Sequence, residues 1–91
     1  MKRSEIILEI VRHGYQFTQT WVEDIGYLLF QVDIYSKNRK GHRYSARESI
    51  DTREFYLCVD KEYAMKCIED KVIQSIYDKM VKEGDICINN H

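Results

Sequence analysis

Hydrophobic positions along this chain change period from helical to two and back again, and each change marks the start of a new element. Ile6, Ile7, Ile10 and Val11 fall on one face at helical spacing, which predicts a first helix from about Glu5 to His13, capped by Ser4 and stopped by Gly14. Beyond Gly14 the period drops to two. Tyr15, Phe17, Gln19 and Trp21 alternate with Gln16, Thr18 and Thr20, a strand pattern, and Glu23-Asp24-Ile25-Gly26 reads as the turn that ends it. The next strand is the clearest: Leu28, Phe30, Val32 and Ile34 point one way, and Tyr27, Leu29, Gln31, Asp33 and Tyr35 the other.

The third strand follows a polar hairpin, and its pattern sets its register. Burying Tyr44, Ala46 and Ile50 requires them to lie opposite Ile34, Val32 and Leu28, because a slip of one residue would bury Arg47 and Asp51 instead. Residues Lys37 to Gly41 then form a five-residue hairpin tip, with Gly41 free to take a positive φ. Glu48 is left facing inward, so a bulge or an end of pairing is expected there. Phe55 to Val59 has strand composition and is read as a fourth strand, with a short helical turn opening at Asp51 or Thr52 as the alternative.

From Asp60, a good cap, Ala64, Ile68, Val72, Ile76 and Met80 repeat every four residues, flanked by Met65, Ile73, Tyr77 and Val81. This predicts one long amphipathic helix ending at Gly84, with Lys79 and Lys82 complementing its dipole. The order is α-β-β-β-β-α: an α+β domain in which two helices cover one face of a three- to four-stranded antiparallel meander.

At 91 residues the chain fits a single compact domain, residues 1–91, which buries roughly 60% of its extended surface and has little margin for a deep substrate cavity. With 44% hydrophobic residues it is too apolar for intrinsic disorder. No stretch approaches the roughly 20 apolar residues of a membrane span, and Glu9 interrupts the early apolar run before it could form a signal-peptide core. Three cysteines at unequal spacing suit reduced thiols better than a disulfide framework, so the expected location is cytoplasmic.

Charge changes the picture most. Lys37, Arg39, Lys40, Arg43 and Arg47 place five cations and no acid in eleven residues, while the rest of the chain holds nine cations against fifteen acids. The protein is therefore electrically two-sided. Arg43 and Arg47 share strand parity with Tyr35 and Tyr27, so the open sheet face beside the hairpin is expected to mix aromatic and cationic side chains.

Other chemistry is sparsely supplied. His13 ends a helix, His42 lies at the hairpin tip and His91 ends the chain, so none stands where a general base would be well held. Cys87 and His91 are four apart, but no Cys-x-x-Cys pair exists, and neither a metal nor a cofactor is expected. Cys58, within an apolar strand, and Cys67, beside Ile68 on the long helix, read as buried or idle thiols. The four glycines are singletons at element ends, and no phosphate-cradling loop is present.

An α-β-β-β-α order is similar to that of the double-stranded-RNA-binding domain, but the resemblance stops at topology. The second helix opens Lys61-Glu62-Tyr63-Ala64-Met65-Lys66, without a Lys-Lys-x-Ala-Lys-like cluster, and membership is not claimed.

The expectation is a non-enzymatic intracellular binding protein that uses Tyr27, Tyr35, Lys37, Arg39, Lys40, Arg43 and Arg47 to engage a macromolecule, more readily an acidic protein surface than nucleic acid. An RNA- or DNA-binding domain using the same cations for phosphates is the alternative. A small enzyme or ligand-binding domain built at a dimer interface is the third reading. Size and absence of motifs associate the chain with small accessory, regulatory or inhibitory proteins such as those of phages and other mobile elements. The wide stripe of the long helix is read first as packing against the sheet, with a homodimer seam around Tyr63, Tyr77 or Val81, or through the faces or edges of the sheet, as the alternative.

Overall fold

In a computed structural model that describes residues 1–37 and 43–86, the chain forms α1 (Arg3–Arg12), β1 (Tyr15–Asp24), β2 (Tyr27–Ser36), β3 (Arg43–Asp51), α2 (Thr52–Leu57) and α3 (Lys61–Lys82). The strands make one antiparallel sheet in the order β1-β2-β3. Helices α1 and α3 pack on each other and on one sheet face, α1 against β1 and α3 against β2 and β3. The fold is α+β, with the second face of the meander open.

The predicted register of β3 holds. Tyr44, Ala46 and Ile50 lie opposite Ile34, Val32 and Leu28. The core joins Phe30, Val32, Ile34, Tyr15 and Tyr44 from the sheet to Ile6 and Ile10 of α1 and to Val72, Ile73, Ile76, Tyr77 and Met80 of α3. Each large aliphatic side chain so buried contributes roughly 1.5–3 kcal/mol.

Pairing runs on through Glu48, opposite Phe30, to Asp51, so no bulge forms where one was expected. Glu48 keeps its carboxylate at the rim of the layer and meets Lys71 of α3 at 3.3 Å. An inward acid is tolerated because a cation of the covering helix reaches it.

Residues 55–59 do not form a fourth strand. Asp51 ends β3 and its carboxylate accepts from the backbone N–H groups of Arg53 and Glu54 at 2.8 and 3.4 Å, nucleating α2 instead. Only Phe55 of the segment is buried, while Leu57 and Val59 are almost wholly exposed. Strand composition was outweighed by a capping side chain that opens a helical turn directly after β3. Cys58, expected in that strand, sits at the end of α2 and donates its thiol to the Glu54 carbonyl at 3.2 Å.

The capping of α1 also departs from expectation. Lys2, not Ser4, occupies the N-cap, and its side chain makes no capping bond. The earlier start puts the Arg3 guanidinium 2.6 Å from Glu69 and 3.4 Å from Asp70 of α3. At the other end of α3, Gly84 takes φ +82°, Asp85 N donates to Met80 O and Gly84 N to Val81 O, a Schellman closure. Ile86 is thereby turned back into the core.

Candidate interaction surface

On the open face, β2 presents Tyr27, Leu29, Gln31, Asp33 and Tyr35, opposite Asp51, Ser49, Arg47, Ser45 and Arg43 of β3 and Asp24, Val22, Thr20, Thr18 and Gln16 of β1. Two-residue periodicity alone puts these side chains on one surface. Its character changes along the strand.

At the hairpin end, the Arg43 guanidinium lies over the Tyr35 ring, 5.7 Å from its centroid, an arrangement worth about 0.5–1 kcal/mol at an exposed site. Arg43 also stands 3.8 Å from Asp33 Oδ1, whose side chain is only 21% exposed. Gln31 Nε2 donates to Asp33 Oδ2 at 2.9 Å, and Thr18 Oγ1 donates to the Asp33 carbonyl at 3.0 Å. Asp33 Oδ1 accepts no hydrogen bond among the described residues, so the Arg43 charge is its main compensation. Arg47 and Arg43 flank a depression of about 370 Å³ that Gln31, Ser45 and Ala46 complete. Lys37 is exposed at the start of the hairpin, where its N–H donates to the Gly14 carbonyl at 2.9 Å.

The structure thus brings Tyr35, Lys37 and Arg43 to the hairpin end of the face and leaves Arg47 midway along it, opposite Gln31. Tyr27 is left at the other end, eight residues or about 26 Å along β2. There its hydroxyl donates to Asp24 at 3.2 Å, and it stands opposite Asp51. Arg39 and Lys40, and with them Gly41 and His42, lie outside the described residues.

The remaining candidates are placed as follows. His13 closes α1, donating Nδ1–H to the Glu9 carbonyl at 2.7 Å, a helix-end role. Cys67 is exposed on α3 rather than buried. It raises the Tyr63 phenol through a hydrogen bond and its charge. Tyr77, one of three residues expected on a helical dimer seam, is 6% exposed and belongs to the core. Cys87 and His91 lie outside the described residues, and among those described no group of three or more His, Cys, Asp or Glu could hold a metal ion.

Two features have no sequence signal of their own. The Glu69 carboxylate receives Arg3 on one oxygen and Trp21 Nε1–H, at 2.8 Å, on the other, tying α1, β1 and α3 together. Ile25, in the β1–β2 turn, is 94% exposed, and that turn bonds to the start of α2 through Thr52 N and Gly26 O, at the end of the molecule away from the cations. No family model matches the chain, and no curated protein or solved structure matches it either. No helix among the described residues is long and apolar enough to cross a membrane.

Proposed function

We propose that the open face from its hairpin end to its middle, built on Tyr35, Lys37, Arg43 and Arg47, binds an acidic surface of a protein partner, and that the chain acts by binding rather than by catalysis. The observation that carries this reading is the Arg43–Tyr35 stack beside the exposed Arg47 and the Gln31–Ser45 depression. Tyrosine and arginine are the side chains that most often supply interface energy, and here they stand together on a rigid strand pair. The compensation of Arg43 by Asp33 favours a protein over nucleic acid, since part of the positive charge is already spent within the face. Arg39 and Lys40 belong to the same reading by their place in the chain. A small accessory, regulatory or inhibitory role in the cytoplasm is the setting it fits.

The test is recovery of a specific partner by tagged protein from a nuclease-treated lysate, repeated with a Lys37→Glu, Arg43→Ala, Arg47→Glu variant. Alanine at position 43 avoids setting two carboxylates against each other at Asp33. Loss of the partner with the variant supports the proposal, and unchanged recovery removes the site from this part of the face. Retention of nucleic acid that is lost steeply with salt would instead establish the RNA- or DNA-binding alternative.

A further inference from the structure

The two edges of the sheet are guarded very differently. β3 carries Arg43, Arg47 and Glu48, charges that discourage pairing with another strand. β1, Tyr15-Gln16-Phe17-Thr18-Gln19-Thr20-Trp21-Val22-Glu23-Asp24, has no Lys, Arg, Pro or Gly and pairs with β2 at ten successive positions without a bulge. Among the described residues β1 has a neighbour on one side only. A long, unbroken edge that carries no charge before Glu23 and Asp24 is a template for another strand.

Backbone bonds at the ends of the sheet show which residues offer that template. Lys37 N donates to Gly14 O, one step beyond the Tyr15–Ser36 pair, so the even-numbered residues of β1 aim their peptide groups at β2. Thr52 N donates to Gly26 O, which assigns the even-numbered residues of β2 to β3 and reaches the same parity independently. The N–H and C=O groups of Phe17, Gln19, Trp21 and Glu23 therefore point to the free edge.

We propose that a second copy of this chain adds its own β1 to this edge, antiparallel, about a two-fold axis at Gln19. Residues directly opposite each other in an antiparallel pair share a face, so only registers that keep odd opposite odd satisfy both the backbone and the side chains. Of these, the register with Gln19 opposite itself sets Phe17 across from Trp21 of the second copy, twice. Both are half-buried hydrophobics at the margin of the core. A shift of two residues either way sets Phe17 or Trp21 against Gln19. The same register brings the Glu23-Asp24 end of each strand to the Arg12-His13 end of the other, so opposite charges meet at both ends. Phe17, Gln19 and Trp21 of each strand would be bonded to the other copy, giving a six-stranded sheet whose outer strands are the charged β3 edges.

Sedimentation of the full chain across micromolar concentrations should show a monomer–dimer equilibrium. Gln19→Lys sets two like charges directly opposite each other and should weaken the dimer about fivefold or more. Gln19→Pro removes the central outward donor and should abolish it, with the lysine variant deciding if proline disturbs β1. In a background with Cys58, Cys67 and Cys87 changed to Ser, Gln19→Cys should oxidise to a covalent dimer, its Cα atoms being about 5.5 Å apart and within disulfide range, whereas Gln16→Cys should not. A monomeric mass throughout overturns the proposal. So does a dimer indifferent to Gln19→Lys, or cross-linking at Gln16 as readily as at Gln19.

Discussion

Glu69 shows how much of this fold depends on single side chains that no local pattern announces. Its two oxygens satisfy Arg3 at 2.6 Å and Trp21 at 2.8 Å, so one carboxylate holds a helix, a strand and a second helix in register. Glu69→Ala should cost about 1–2 kcal/mol, since it leaves a half-buried indole N–H without its acceptor and the Arg3 guanidinium with Asp70 alone. Urea denaturation measures this, with Trp21, the only tryptophan, reporting the transition by fluorescence. Tyr44 is a second such residue. Burial first, and then the Asp85 and Glu83 carboxylates, push its phenol far above the ordinary range near 10. Tyr77 is raised as well, chiefly by burial and then by the charges of Glu9 and Asp78. In both cases the folded protein keeps a proton that the unfolded chain releases above about pH 10, so the stability these groups contribute is complete below that value and falls as pH rises further. Thermal melts taken upward from pH 9 should therefore show a steepening loss of stability, and Tyr44→Phe should flatten it. A loss of equal slope in that variant would assign the effect elsewhere.

Helices and strands divide sharply by what their residues disclose. β2 and β3 were legible because alternation names a face and a face names a register, so that placing Tyr44, Ala46 and Ile50 opposite Ile34, Val32 and Leu28 needed only parity. The segment after Asp51 was not legible in the same way, because Phe55 to Val59 has the composition of a strand and the conformation of a capped helical turn. What decides between them is the Asp51 side chain, which accepts from the first N–H groups of a helical turn, a contact outside the five residues themselves. Glu48 misled for a related reason, since its partner Lys71 is remote in sequence. The segment offers a sharp test. Phe55→Ala should destabilise the protein by about 3 kcal/mol because it empties a buried position, whereas Leu57→Ser with Val59→Ser should change stability by no more than about 0.5 kcal/mol, both side chains being already in water. Asp51→Ala should cost about 1 kcal/mol through the lost cap. Chemical denaturation of the three variants separates these outcomes, and a large effect of the Leu57, Val59 pair would place them in a fourth strand after all.

At the scale of the molecule, covering one sheet face with α1 and α3 leaves one face and one edge for other work, and the charge pattern gives the face a direction. Lys37 and Arg43 stand at the hairpin end, Arg47 midway, and Asp24, Asp51 and Glu54 at the opposite end. The candidate face was legible in the sequence as a parity argument. What stayed hidden was its division into a cationic end that gathers Tyr35 and an acidic end that keeps Tyr27, because alternation assigns a side chain to a face without saying how far along it lies. In a pair built through β1, the two-fold axis at Gln19 sends the two cationic ends to opposite ends of the shared sheet. Each copy then binds its own partner, and a surface bearing many partners gains avidity only from the pair. The face and the edge should consequently separate under mutation. The Lys37, Arg43, Arg47 variant should lose the partner and keep the dimeric mass. Gln19→Lys should keep one partner per chain in solution while dissociating faster from a surface densely coated with that partner. Calorimetric stoichiometry and surface dissociation rates measure the two effects, and a Gln19→Lys variant that lost partner binding in solution would mean that the edge and the face form one site.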